Sequence, residues 1–108
     1  MRLGALALLA ALAVPSWASA QDVAAGRQVA RICQACHGLD GIAKLPEAPS
    51  LAAQDVAYLT KQLLAYKSGE RQNEVMTVVA EGLTPEQIEA VAAYYAAIEI
   101  EVTRVPGR

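Results

Sequence analysis

Apolar positions are distributed along this chain in two quite different ways. Leu3 to Val14 is an almost unbroken apolar run of twelve residues, preceded by Arg2 and interrupted by Pro15. The small residues Ala18-Ser19-Ala20 follow it, which is the layout of a cleavable export leader. The run falls short of the roughly 20 residues that a membrane-spanning helix needs. No cysteine follows closely enough to suggest a lipid anchor, and no later stretch is long and apolar enough to span a bilayer. Cleavage after Ala20 leaves residues 21–108 as one exported domain.

Beyond the leader the apolar residues recur at helical spacing. Asp22 is placed to cap a first helix that runs to about Cys36, with Ala25, Val29, Ile32 and Cys33 along one side. From Gly38 to Ser50 two glycines, two prolines and a lack of period predict a loop. From Asp55 to Ser68 a second helix is marked by Val56, Leu59, Leu63 and Tyr66 on one stripe. Gly69 stands where it can end that helix, with Lys67 in its last turn. Arg71 to Glu74 is polar and reads as irregular, and Met76 to Gly82 as a short helix. Thr84-Pro85-Glu86-Gln87 is a helix start with Thr at N-cap, Pro at N1 and Gln at N3. Ile88, Val91, Tyr95 and Ile98 give the helix that follows its stripe. The tail from Glu99 is left unassigned. No strand alternation and no repeat is visible, so the fold class is all-α.

Composition changes this picture at one point. The 88 residues left after cleavage form a small domain, which buries only about 60% of its unfolded surface. It contains no Phe, its one Trp lies in the leader, and its two cysteines are too few for a disulfide scaffold. Such a core calls for an added apolar body. Loss of Arg2 takes the net charge from −2 to −3, which argues against nucleic acid or an anionic membrane as partner.

Cys33-Gln34-Ala35-Cys36-His37 supplies that body, because C-x-x-C-H is the pattern of covalent haem attachment. Two cysteines three apart on a helix point the same way, so both sulfurs can reach the vinyl groups on one edge of a porphyrin. The adjacent His37 then meets the iron. A closed structural zinc site needs four ligands, and the chain has two Cys and one His. A thioredoxin-like dithiol belongs beside a βαβ pattern, which is missing here. The second axial ligand follows by elimination. Met76, 39 residues beyond His37, is the other soft ligand that survives cleavage; the alternative is that it fills core.

From Asp22 to about Ala97 the chain resembles the small class I cytochromes c, in particular single-haem bacterial members and each half of the tandem di-haem cytochromes. The residues that carry the resemblance are Gly26, Cys33 to Gly38, Pro49-Ser50-Leu51 with Gln54 and Tyr58, Gln62-Leu63 with Tyr66, Gly69-Glu70-Arg71, Met76, and Ile88 to Tyr95. The resemblance implies helices packed around one covalently bound haem c. It implies that the carbonyl of Pro49 accepts from the second nitrogen of His37, a bond that fixes the ring and raises its basicity. It implies further that Leu51, Tyr58, Leu63 and Tyr66 line the haem and that Arg71 pairs with a propionate. Gly26 would let the first helix cross the last closely, near Tyr94 or Tyr95. One departure stands out: related chains often carry Gly where this one has Ala53.

A His/Met pair leaves no coordination position for substrate, which suits outer-sphere electron transfer and not catalysis. The expected function is that of a periplasmic single-electron carrier. Its donor would be a dehydrogenase or a quinol-oxidising complex, and its acceptor a terminal oxidase or reductase. A haem subunit held permanently by one dehydrogenase, and a haem sensor or weak peroxidase, are the alternatives. Lys61, Lys67 and Arg71 cluster on or just after the second helix and are expected either to steer an acidic partner or simply to be solvated.

Overall fold

The computed structural model describes residues 1, 3–12 and 20–107. Arg2, Pro15 and the Ala18-Ser19 pair expected at the leader's cleavage site lie outside the described residues. Residues 3–12 carry no regular structure, and their leucines are exposed.

Four helices follow, and among the described residues there is no strand: α1 (Ala20–His37), α2 (Val56–Ser68), α3 (Met76–Glu81) and α4 (Pro85–Ala96). Asp22 falls in the first turn of α1 instead of capping it, because the helix begins two residues earlier. Its carboxylate still sits where the helix dipole favours a negative charge. Asp55 caps α2, its Oδ1 accepting from the N–H groups of Ala57 (2.7 Å) and Tyr58 (3.2 Å). Gly69 ends α2 at φ 83°, a left-handed conformation that costs glycine nothing. α4 opens with a reciprocal cap: Gln87 N–H donates to Thr84 Oγ1 at 3.1 Å, and Thr84 N–H to Gln87 Oε1 at 2.9 Å.

α4 is the hub. It packs against both α1 and α2, whereas α3 packs against α2 alone. At the α1–α4 crossing a Cβ on Gly26 would run into the carbonyl of Ala90 and stand 2.7 Å from Tyr94 Cβ. Only glycine fits there. The core gathers Val29, Ala30, Leu59, Leu83, Ile88, Val91, Ala92, Tyr94 and Tyr95. Burial departs from the stripes in two places. Ala25, Ile32 and Val56 are exposed, because α1 turns Gly26, Val29, Ala30 and His37 inward and α2 turns Leu59 inward. α4 is buried from Ala90 to Tyr95 without a break, since its alanines let neighbours approach on several sides.

Candidate haem site

The last turn of α1 carries Cys33, Cys36 and His37, and the chain that follows folds back over it. Gly38 takes φ 74°, and a Cβ there would meet Asp40 Oδ1 and the carbonyl of Ile42, so the reversal after His37 requires glycine. Lys44 N–H donates to the carbonyl of Cys36 at 2.8 Å, satisfying a carbonyl at the helix end. Gly41 then offers its carbonyl to the N–H groups of Leu51 (2.7 Å) and Ala52 (3.0 Å), and Ala43 N–H donates to Ser50 Oγ at 2.9 Å. These bonds bring Pro49-Ser50-Leu51 back to the histidine.

The return places the carbonyl oxygen of Pro49 2.7 Å from Nδ1 of His37, which is 7% exposed. A carbonyl can only accept, so Nδ1 carries the hydrogen and Nε2 keeps its lone pair for a metal. Both cysteines are unpaired and partly buried. In the thiol form, burial pushes the Cys33 group up, with a smaller opposing effect from a hydrogen bond to Tyr95. Tyr95 is itself held well above the ordinary phenol range, chiefly by burial.

Two contacts that the sequence did not point to fix the far side of this turn. The hydroxyls of Tyr95 and Tyr94, from α4, donate to the carbonyls of Gly38 (2.9 Å) and Leu39 (2.6 Å). Two adjacent tyrosines at the end of an apolar helix are the only signal for this, and side-chain periodicity says nothing about where their hydroxyls go.

The other expected residues fall into two groups. Cys33, Leu51 and Leu63 are partly buried against the core cluster. Met76, partly buried, opens α3, where Asn73 Oδ1 accepts from the N–H groups of Val75 and Met76, both at 3.0 Å. Although α3 is bounded at Val75 by its regular turns, its hydrogen bonding starts at Asn73, with Thr77 N–H donating to the Asn73 carbonyl at 3.1 Å. Tyr58, by contrast, is exposed. Arg71 donates to Gln62 Oε1 at 2.7 Å, and its guanidinium lies 4.7 Å over the ring of Tyr66. It is thus engaged on the surface of α2 itself. Lys67 is also committed, to the carbonyls of Glu81 at the far end of α3 and of Leu83 in the turn after it, and is not a free surface cation.

These residues fit a covalently held haem. Two unpaired thiols and a histidine with a directed Nε2 lie together at one helix end. Among the described residues α1 makes no helix contact with α2 or α3, so the pair bearing Leu63, Tyr66 and Met76 is spaced from the helix bearing the cysteines. Ile42 and Leu45 after the motif, and Val75 and Val78 beside Met76, leave apolar side chains in the open; an apolar prosthetic group is suited to cover such surface. Among the described residues there is no group of three or more His, Cys, Asp or Glu that could hold a bare metal ion. A groove lies elsewhere on the described surface, between α2 and α4 over Val56, Leu64, Ala90 and Ala93, and none of the cysteines, His37 or Met76 lines it.

Comparison with known proteins agrees with this geometry. The cytochrome c family profile matches residues 23–98. Cytochrome c-554(548) of Halomonas halodenitrificans is 41% identical over 83 residues, which are 74% of this chain and all of that protein. Cytochrome c4 of Pseudomonas aeruginosa is 39% identical over 84 residues, 78% of this chain but 42% of that protein. The crystal structure of reduced recombinant cytochrome c4 from Pseudomonas stutzeri superposes with a TM-score of 0.71 at 28% identity, covering 77% of this chain and 51% of that one. The chain thus spans about half the length of its cytochrome c4 relatives and the whole of the Halomonas protein. Members of this family are electron carriers that bind haem c covalently, and they are not enzymes. With its C-x-x-C-H motif, its strand-free helical fold and a family match over most of its length, the chain belongs to the cytochrome c family, in its small class I form.

Proposed function

We propose that this protein is an exported single-electron carrier, active in the periplasm once its leader is removed after Ala20. The observation that carries the reading is the bond from His37 Nδ1 to the Pro49 carbonyl. It orients the imidazole and raises the basicity of the nitrogen left to bind iron. When bound, the haem supplies reversible one-electron exchange at its iron. Cys33 and Cys36 would hold its edge by two thioethers, and Met76 would give a soft thioether ligand on the opposite face, which favours the reduced state. With His37 and Met76 both bound to the iron, no position would be left for a substrate. Leu51, Leu63 and Tyr66 would keep the face apolar, and Tyr58 and Arg71 would stand at its edge.

The donor is proposed to be a dehydrogenase or quinol-oxidising complex and the acceptor a terminal oxidase or reductase. A relative from Thiomonas intermedia, 38% identical over 91% of this chain and 44% of its own length, is named a thiosulfate dehydrogenase electron acceptor. That name favours a dehydrogenase on the donor side, and it also supports the second reading of a haem protein held by one dehydrogenase. Co-purification with a larger chain would distinguish the two.

The test is spectroscopic. Acid–acetone extraction should leave the haem on the protein, and the ferric form should show a six-coordinate low-spin spectrum with a weak far-red sulfur-to-iron band. Met76→Ala should lose the band, lower the potential and open the ferrous iron to carbon monoxide. Haem released into the solvent would overturn covalent attachment, and an unchanged Met76→Ala spectrum would return Met76 to the core.

A further inference from the structure

Met76 begins a helix of six residues, too short to hold itself by its own hydrogen bonds. That helix packs on α2 alone, so something must fix its position there. Side chains fasten it at both ends. At the start, Asn73 caps Val75 and Met76, and Thr77 returns the bond by accepting from Asn73 N–H at 3.0 Å. At the finish, Lys67 reaches across from the last turn of α2. Its ammonium donates to the carbonyl of Leu83 at 2.6 Å and to that of Glu81 at 3.2 Å.

The Glu81 carbonyl is the last of α3, where helix termini leave acceptors unsatisfied and a cation is favoured, and the Leu83 carbonyl lies two residues on, in the turn that leads to α4. The three cations expected to form one patch therefore have different roles. Lys61 is exposed. Arg71 lies on Gln62 and Tyr66 of its own neighbourhood. Only Lys67 joins two elements, and the element it joins carries the distal ligand.

We propose that Lys67 is a positioning residue for the distal side of the haem: it latches the C-terminal end of α3 onto α2 and so sets how readily Met76 leaves the iron. This rests on Met76 being the axial ligand. A six-residue helix has little independent bending, so releasing one end loosens its first residue as well. The latch acts on the distal side only, because α3 has no helix contact with α1.

The experiment measures imidazole binding to the ferric holoprotein, which requires Met76 to leave. Lys67→Met keeps much of the stem and removes the ammonium. It should raise imidazole affinity by about tenfold, the scale of one lost charge-assisted hydrogen bond. Lys61→Met should match wild type, and Lys67→Arg should restore most of the difference. Amide exchange should quicken from Val79 to Leu83 in Lys67→Met and stay unchanged in α1 and α4, which a general loss of stability would not produce. If Lys67→Met yields no holoprotein, Lys67→Gln should show the same changes in smaller measure. Wild-type affinity and exchange in these variants would overturn the latch. Met76→Ala separates the two claims: if it binds imidazole no better than wild type, the ligand assignment beneath the latch fails. If it binds far better while the Lys67 variants do not change, the latch alone fails.

Discussion

Tyr95 donates its phenol hydrogen to the carbonyl of Gly38, 2.9 Å away, and so ties the last helix to the residue directly after the haem histidine. Tyr94 does the same for Leu39 at 2.6 Å, and the two rings meet edge to face at 5.2 Å. Tyr95 is 2% exposed, so water cannot replace its hydroxyl easily. Tyr95→Phe should therefore cost about 1–3 kcal/mol, the penalty of leaving the Gly38 carbonyl without its donor. Denaturation of the holoprotein measures this, and a loss below a few tenths would mean that another group satisfies the carbonyl.

Ala53 holds φ 60° while its N–H donates to the carbonyl of Tyr95 at 3.0 Å. The position where related chains often carry glycine thus keeps a left-handed backbone with a Cβ on it. Ala53→Gly should relieve about 1–2 kcal/mol of strain. The more flexible unfolded chain takes back about 0.4–1 kcal/mol. A net stabilisation on the order of 0.5–1 kcal/mol is expected in thermal or denaturant unfolding, and Ala53→Val should destabilise.

Asp40 follows the haem motif and receives the N–H of Ile42 at 3.0 Å and the ammonium of Lys44 at 3.1 Å. The Ile42 bond first, and Lys44 second, hold its carboxyl below the usual range. A carboxyl lowered by folding stabilises the loop in full above its ordinary titration near pH ~4, and that contribution is lost as pH falls through the lowered value. Asp40→Asn should abolish this acid step. The amide shift of Ile42, followed from pH 6 downward, reports it directly.

Lys61 is an exposed cation of α2 that makes no side-chain hydrogen bond or ion pair among the described residues, so it is the residue to test for partner steering. Lys61→Glu should slow electron transfer to the physiological acceptor at low ionic strength, leave the potential unchanged, and approach wild type as salt is added. Equal rates at low salt would place the docking face elsewhere. Lys67→Glu is no substitute, because it would also break the contacts to Glu81 and Leu83.

The elements that announce their own ends were legible in the sequence. Gly69 ends α2 as read, and the Thr84–Gln87 box starts α4, because capping is local chemistry that a few consecutive residues can specify, whereas Asp55, taken as the first residue of α2, is its cap. The haem motif was legible for the same reason. What escaped was non-local. Asn73 lay in a stretch read as irregular, yet it is the cap that holds Met76. Lys67 was counted with the surface cations, since composition cannot tell a lysine aimed at water from one aimed at carbonyls fourteen and sixteen residues away. The tyrosine hydroxyls reach back 55 and 57 residues, a distance over which helical period carries no information.

The separation of α1 from α2 and α3 bears on how the protein matures. Before the thioethers form, α4 can gather α1 on one side and α2 on the other, but among the described residues no helix contact closes the third side of the triangle. The attachment machinery would therefore meet a chain already ordered around α4 with its cysteine turn still accessible. Once loaded, the cofactor would act as a keystone, and a chain that never received it would stay open to proteases. A gap that waits on the haem would thus serve the cell as a check on whether it arrived.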